Sequence, residues 1–297
     1  MCTLQEELRY LTEHIATAGG CAIPVQDFIL PSTSNVITAL LFGTTYALDD
    51  PRRKYLVQHV TNFASLVASS SIVNFIPDCF SIIFAALPFS RMGAIRRSRE
   101  ILIDFVRDRV NEHKHTLRDD INRDFIDGYL KKIKEHQHES SSHFQESHLL
   151  GNAVDFYVGG AHTTASYIHW LLLVCPQKPD TVQSRIRREI DDIVGPERQP
   201  TWEDRKRLHF TMACLWEILR WKTVVPIGHP RGPREDTFID EYVIVKGTLV
   251  MSNVMAVHRD HTLWERPDDF DPTRFLSSKG SFLPCGEAGT PHHIFSW

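Results

Sequence analysis

Apolar residues recur at intervals of three and four along most of the first half of the chain. This spacing places them on one face of an α-helix. Proline and glycine interrupt the pattern at "GGCAIP", "LDDP", "IPDC" and "LPFSRMG", which are typical joints between helices. The pattern therefore predicts helices over residues 2–17, 33–46, 51–68, 93–113 and 121–136.

The middle of the chain contains a long apolar segment, "SHLLGNAVDFYVGGAHTTASYIHWLLLVC", which covers residues 147–175. We predict one long helix that ends at Pro176, because proline cannot donate to the hydrogen bonds of a helix interior. Apolar residues lie on nearly all its sides, which is typical of a helix buried in the middle of a fold. Two further helices are predicted over residues 178–194 and 208–221.

The spacing changes late in the chain. "FIDEYVIVKGTLVMSNV", residues 238–254, alternates apolar and polar positions and is rich in β-branched residues. It predicts a β-hairpin whose turn is "KG", and the residues that follow are predicted to be loop and turn. The fold class is therefore mainly α with a small β-sheet, and we expect residues 1–297 to form a single domain.

Composition excludes several classes of protein. The 297 residues are 42% hydrophobic and 24% charged, as in ordinary globular proteins, and the net charge of -4 argues against a nucleic-acid partner. The six cysteines form no CxxC pair, which argues against a disulfide framework or a zinc site and favours a reducing compartment. No stretch has the roughly 18 consecutive apolar residues needed to cross a membrane; the nearest is "SIIFAALPF", residues 81–89.

Both ends of the chain are unusual. The first residues enter within an amphipathic helix, with Leu4, Leu8 and Leu11 on one face. The last residues, "TPHHIFSW", are apolar where a terminus is usually polar and frayed. We expect the chain to be an internal fragment of a longer protein, truncated at both ends.

A polar tract, "KKIKEHQHESSSHFQESH" over residues 131–148, carries four histidines: His136, His138, His143 and His148. They could bind a metal in a helical metal-binding protein, or they could belong to a solvated loop. No ligand spacing repeats, which favours the loop.

"FYVGGAHTT", residues 156–164, places two glycines inside the predicted long helix, where each costs about 1 kcal/mol relative to alanine. Gly159 and Gly160 either allow a flat group to approach the backbone or allow two helices to pack closely, and both interpretations remain open. Thr163 lies one turn after Gly159, where its hydroxyl can bond to the carbonyl a turn earlier and bend the helix. His162 beside it titrates near neutral pH.

"LWEILRW", residues 215–221, places Glu217 and Arg220 three residues apart on an otherwise apolar helix. Both charges are therefore predicted to be buried and paired, with a structural role. Pro267 and Pro272 stiffen the later segment "WERPDDFDPTRF", which we expect to bring Arg274 to Glu217.

These motifs, in this order, resemble those of the cytochrome P450 haem-thiolate monooxygenases. "GGAHTT" is similar to the family's oxygen-binding signature, "EILR" to its Glu-x-x-Arg helix and "FDPTRF" to its Phe-x-Pro-x-Arg-Phe segment. "VIVKGTLVMSNVMAVHRDHTLWERP" resembles the family's hairpin and His-Arg-Asp segment. "NVITALLFGTTYALDDP" and "RDFIDGYLKKIK" resemble the microsomal animal branch. The resemblance implies a partial cytochrome P450 fold, with the long central helix over a haem site.

The resemblance also assigns residues. Thr163, His162 and Thr164 are expected to be catalytic, with Thr163 bonding the oxygen and helping to deliver protons. His162 stands where the family has an acid. Gly159 and Gly160 are expected to line the haem. Another set is expected to act outside the central helix: Arg231 at a haem propionate, and Glu217, Arg220 and Arg274 as a structural triad.

The haem ligand is expected outside this chain. In the family, the cysteine thiolate that binds iron belongs to a loop whose first three positions match "FSW", residues 295–297. The axial cysteine is therefore expected beyond Trp297, and no metal ligand is predicted within the chain. Cys285 lies before that loop and is expected to be an ordinary loop cysteine.

The implied function is a monooxygenase that uses haem b to insert one oxygen atom from O2 into a small lipophilic substrate. Its electrons would come from NADPH through NADPH–cytochrome P450 reductase, with cytochrome b5 as a second donor. The expected location is the cytoplasmic face of the endoplasmic reticulum membrane, through an N-terminal anchor absent from this sequence. The alternative is a non-catalytic truncated remnant that binds hydrophobic ligands or partners and does not turn over.

Overall fold

A computed structural model describes residues 2–68, 87, 89–139 and 142–283 of the chain. Several predictions fall outside these residues: the role of Cys285, most of the apolar run 81–89, and the "FSW" motif. Within the chain, contacts define two compact units, Met1–Ala165 and Ser166–Trp297. Each unit is described by itself below.

The first unit is built from helices. In chain order they are α1 (Cys2–Ala16), α2 (Gln26–Phe42), α3 (Pro51–Ala68), α4 (Arg91–Thr116), α5 (Phe125–Glu135) and the beginning of α6 (Glu146–Gln177). One apolar face of each of α2 to α6 enters a common core, whose members include Leu41, Leu56, Val110, Ile126 and Tyr157. Amphipathic spacing thus predicted this core, because residues three and four apart share a helix face.

Two helices contain a proline and differ from the predicted bounds. The second helix was expected over residues 33–46 but spans Gln26–Phe42 and contains Pro31. Pro31 lies beyond the first turn of α2, so its missing N–H leaves a helical carbonyl without its usual donor. Similarly, α6 was expected to stop before Pro176 but continues to Gln177. The prediction that α6 is buried all round is wrong, since Phe156 is 59% exposed and Trp170 is 36% exposed.

The second unit continues with shorter elements. They are a π-helical turn (Pro179–Gln183), α7 (Ser184–Ile193), a 3-10 turn (Trp202–Lys206), α8 (His209–Trp221), β1 (Thr237–Ile239), β2 (Tyr242–Ile244), α9 (Val254–Arg259) and a 3-10 turn (Pro272–Phe275). The helix predicted over residues 178–194 is thus divided into a π-helical turn and α7. The segment predicted as loop includes the end of α9.

A hairpin is present, but the predicted pairing of the strands on either side of "KG" is wrong. β1 and β2 pair antiparallel with Thr237 opposite Ile244. The connecting residues are therefore Asp240 and Glu241, and Asp240 takes a left-handed φ of 49°, which aspartate tolerates better than most residues. Gly247 has a φ of 80° and forms a separate turn. The mainly helical fold with one small sheet is confirmed.

None of the helices that the structure describes is long and apolar enough to cross a membrane.

Candidate functional site

The second unit contains a buried ion pair between Glu217 and Arg220 on α8. Neither side chain is exposed to solvent. Arg220 Nε donates to Glu217 Oε2 at 2.8 Å, and Arg220 Nη2 donates to Oε1 at 2.7 Å. Two parallel bonds of this kind are the strongest arrangement available to an arginine and a carboxylate. The pair therefore has the geometry that a buried charge requires.

The remaining donors of Arg220 bind distant backbone. Its Nη1 donates to the carbonyl oxygens of His258 and Pro267, each at 2.8 Å, and its Nη2 also donates to that of Asp269 at 3.2 Å. Three carbonyls from α9 and the following loop are thus tied to one guanidinium. Trp264 lies beside it, with the Arg220 Cζ atom 5.1 Å from the ring centroid. The predicted structural role agrees with this set of contacts.

Arg274 lies beside the pair without completing a hydrogen bond to it. Its Nε is 3.5 Å from Glu217 Oε1, and among the described residues this Nε has no hydrogen-bond partner. The Nη2 of Arg274 donates instead to the carbonyl of Arg266 at 2.8 Å. Glu217 Oε1 also accepts from the backbone N–H of Asp271 at 2.9 Å. Burial raises the pKa of the Glu217 carboxyl, and these donors and cations act against that rise.

The two glycines of α6 have different surroundings. A Cβ placed on Gly160 would lie 2.6 Å from Cδ1 of Ile37 on α2, so Gly160 allows two helices to pack closely. A Cβ on Gly159 would have no heavy atom within 4 Å, so the backbone there faces open space. Thr163 Oγ1 donates back to the carbonyl of Gly159 at 2.5 Å. The two interpretations of the glycine pair therefore apply to one residue each: close helix packing at Gly160, and room for an approaching group at Gly159.

His162 points to α3 of the first unit. Its Nε2 lies 3.2 Å from Thr61 Oγ1. Burial lowers the pKa of His162 below its ordinary value. Thr164, the next residue but one, is exposed.

Arg231 lies in the second unit on an extended segment. Its backbone pairs with Val250, and the two N–H···O=C bonds measure 2.9 and 2.8 Å. This bridge continues the register of β1 and β2. The Arg231 side chain is exposed, so the residue presents a cation on a rigid backbone.

A buried cluster in the first unit was not identified from the sequence. Ligand-type atoms of His113, Asp124 and Asp127 lie within 4.8 Å of one another, a spacing that a metal ion could bridge. The guanidinium of Arg123 instead donates to both carboxylate oxygens of Asp127, with hydrogen bonds of 2.6 and 2.8 Å. That guanidinium holds the pKa of Asp127 below its usual range. The cluster is therefore an ion-pair network.

His113 is a second basic group of this network, beside Arg123. Its Nδ1 is 2.7 Å from the carbonyl oxygen of Arg109, and its Nε2 is 2.7 Å from Asp124 Oδ2. Both neighbours are acceptors, so both ring nitrogens must carry protons. The hydrogen bond to Asp124 accordingly raises the pKa of His113, although burial opposes it. The sequence signal that could have indicated the site is Asp124 three residues before Asp127, since Asp124 caps α5.

The histidine-rich tract contains local contacts. His136 Nδ1 pairs with Glu139 at 2.8 Å, and His148 Nδ1 pairs with the carbonyl of His143 at 2.7 Å. Among the described residues, the histidines of this tract do not join a group of three metal-ligand atoms. The choice between a solvated loop and a metal site stays a prediction.

The structure assembles the predicted residues in two groups. Glu217, Arg220 and Arg274 meet in the second unit, and Arg231 lies apart on its extended segment. Gly159, Gly160, His162, Thr163 and Thr164 share one turn of α6 in the first unit.

The fold and these residues define a mainly helical protein with a buried Glu-x-x-Arg pair and a glycine- and threonine-containing turn within a long helix. The chain belongs to the cytochrome P450 family, whose model matches residues 2–293. The family assignment made from the four motifs is thereby confirmed.

Similar curated proteins are microsomal-type animal members of the family. The chain is 30% identical over 290 residues to cytochrome P450 2U1 of Homo sapiens, and the alignment covers 95% of this chain and 52% of that protein. It is 29% identical over 286 residues to cytochrome P450 2J3 of Rattus norvegicus, covering 95% and 56% of the two chains. The chain thus spans about half the length of the curated relatives it matches.

Proposed function

We propose that the protein containing this chain is a haem-dependent monooxygenase that inserts one oxygen atom from O2 into a small lipophilic substrate. Membership of the cytochrome P450 family supports the reaction class. The observation that carries the proposal is the open backbone face at Gly159, one turn before the hydroxyl of Thr163. A bound haem would supply the redox chemistry that no amino-acid side chain provides.

The described residues fit one side of such a cofactor. The open space at Gly159 accommodates a flat group close to the backbone, which a Cβ would obstruct. Thr163 has a hydroxyl on the same face of α6, and it can hold or pass a proton there once it turns away from the Gly159 carbonyl. We propose that Thr164, exposed beside Thr163, contributes to the same surface of the first unit. For Arg231, in the second unit taken by itself, we propose a contact with a haem propionate on the ground of the family resemblance alone.

Two of the described cysteines, Cys175 and Cys214, do not fit the thiolate ligand. Cys175 and Cys214 lie in or against an apolar cluster, and burial raises the pKa of both thiols. A cysteine that binds a metal needs a lowered pKa, because the thiolate is the form that binds. The prediction that the ligand follows Trp297 stays a prediction.

The other features of the function rest on the family branch. We propose NADPH as the source of electrons, NADPH–cytochrome P450 reductase and cytochrome b5 as electron donors, and the cytoplasmic face of the endoplasmic reticulum as the location. We propose that residues 1–297 form one partial domain. In it, Glu217, Arg220 and Arg274 would hold the segments after α8 in place.

The test is the carbon monoxide spectrum of the reduced, purified full-length protein. A Soret band at the long-wavelength position typical of thiolate-ligated haem is the expected result. The Thr163→Ala protein should keep that band. Its ratio of product formed to O2 consumed should fall, because a proton-holding hydroxyl is removed. Thr12→Ala is a matched control, since Thr12 makes the same back-bond to Leu8 on α1 at 3.0 Å.

Two results would contradict the proposal. A folded protein that binds no haem would favour the remnant that binds hydrophobic ligands. A Thr163→Ala protein with unchanged coupling of O2 consumption to product would contradict the role of Thr163.

A further inference from the structure

The hydroxyl of Thr61 lies in hydrogen-bond contact with the ring of His162. Thr61 Oγ1 donates to the carbonyl of Val57 at 2.7 Å, one turn earlier in α3. The same oxygen lies 3.2 Å from His162 Nε2, and with its proton directed at Val57 it is an acceptor in that contact. This geometry favours a proton on Nε2 of His162, directed at Thr61.

The ring carries little charge near neutral pH. Burial of the imidazole lowers its pKa below the ordinary 6.5, because a half-buried cation loses hydration. A neutral ring has one N–H, and the contact with Thr61 uses it. An acid in this position would be an anion at neutral pH, so the histidine differs in both charge and hydrogen-bonding role.

Two further contacts fix the same turn of α6 within the first unit. Thr33 Oγ1 of α2 lies 3.1 Å from the carbonyl oxygen of Ala161, and it also lies 3.0 and 3.2 Å from two carbonyl oxygens of its own helix, so the three acceptors share one hydroxyl proton. Gly160 packs so closely on Ile37 that a Cβ would approach its side chain to 2.6 Å. The backbone from Gly160 to His162 is thus held by α2 on one side, and the His162 side chain is held by α3.

We propose that His162 is a positioning residue, which donates from Nε2 to Thr61 and thereby holds the turn that carries Thr163 against α3. It does not supply protons to the oxygen side. The hydrogen bond is independent of any cofactor, and only the importance of Thr163 rests on the proposed function. The assignment differs from the proton-relay role that the family resemblance suggests for this position.

Histidine side-chain NMR of the purified full-length protein tests the hydrogen bond directly. The expected spectrum shows His162 as the neutral Nε2–H form, with solvent exchange of that proton slowed. Thr61→Val, which keeps the branched shape and removes the acceptor, should speed the exchange about tenfold, as expected for one lost hydrogen bond. Thr61→Ser keeps the hydroxyl and should leave the exchange slow. An Nδ1–H form, or equal exchange in all three proteins, would overturn the proposal.

A pair of substitutions at His162 tests the positioning role. A glutamine amide nitrogen lies near the place of Nε2, whereas an asparagine amide lies near the place of Nδ1. His162→Gln should therefore keep hydrogen-exchange protection of the α3 amides near Thr61, and His162→Asn should lose it. Equal protection in the two variants, or better protection in His162→Asn, would contradict the assignment.

Catalysis by the haem-loaded protein gives a separate readout. Thr61→Val and His162→Asn should lower product formed per O2 consumed by the same factor, and the double variant should lower it no further. A proton relay through His162 would instead make His162→Asn far more harmful than Thr61→Val, which would overturn the proposal. If the protein binds no haem, the proposed function fails, while the NMR and exchange results still decide the role of His162.

Discussion

Arg220 holds Glu217 through two hydrogen bonds of 2.8 and 2.7 Å in a site where neither side chain reaches solvent. Arg274 approaches the same carboxylate to 3.5 Å but donates its hydrogen bond elsewhere. The three residues therefore form a strong pair with an adjacent cation. Their contribution to stability depends on the pair, because an unpaired buried charge is far more costly than an unpaired exposed one.

Glu217→Ala should prevent stable folding or lower the free energy of unfolding by about 3 to 5 kcal/mol, since it leaves Arg220 buried without its carboxylate. Urea unfolding measures the loss. Glu203→Ala is the control: its carboxylate is 67% exposed, so a change below about 0.5 kcal/mol is expected. A Glu217→Ala protein as stable to urea as the Glu203→Ala control would contradict the role of the pair.

The glycines of α6 should respond in opposite directions to alanine. Gly159→Ala should raise the stability of the cofactor-free protein by about 1 kcal/mol, because open space surrounds the added methyl group. Gly160→Ala should lower stability by about 1 to 3 kcal/mol, because the methyl group meets Ile37. Thermal unfolding of the two variants provides the comparison, and changes of the same sign would show that the two positions are equivalent.

Glu189 on α7 should stabilise the start of α8. Its carboxylate accepts from the backbone N–H groups of Phe210 and Thr211 at 2.7 and 2.8 Å, where α8 has unpaired donors. Glu189→Ala should therefore cost about 2 kcal/mol in unfolding free energy. Asp192→Ala on the exposed side of α7 should change it by less than about 0.5 kcal/mol. Similar losses in both variants would argue against this cap.

His113 should stabilise the protein most at low pH. The hydrogen bond to Asp124 raises the folded-state pKa of His113 above the ordinary 6.5. Its contribution is therefore complete below 6.5 and is lost as the pH rises through the folded-state pKa. The difference in unfolding free energy between the natural protein and His113→Gln should shrink over that range. His115→Gln, an exposed neighbour on α4, is the control, and a difference that grows with pH would reverse the assignment.

Local spacing predicted the elements whose signals are local. The helix expected from residue 51 begins at Pro51, because a proline suits a first helical position, and the described residues are helical through Ala68. The hairpin was found but its turn was misplaced, since "KG" resembles a hairpin turn more than "DE" does. The pairing of Thr237 with Ile244 decides the register, and it depends on contacts between strands.

The order of four motifs in the sequence by itself determined the family, and amphipathic spacing determined the mainly helical class. Only the tertiary structure decided that Gly160 packs against Ile37 while Gly159 faces open space, that His162 Nε2 meets Thr61 Oγ1, and that both ring nitrogens of His113 face acceptors. The physical reason is the separation along the sequence of the residues that interact. Helical periodicity and capping act over a few residues, whereas Thr61 and His162 are 101 positions apart and meet only when α3 and α6 pack together.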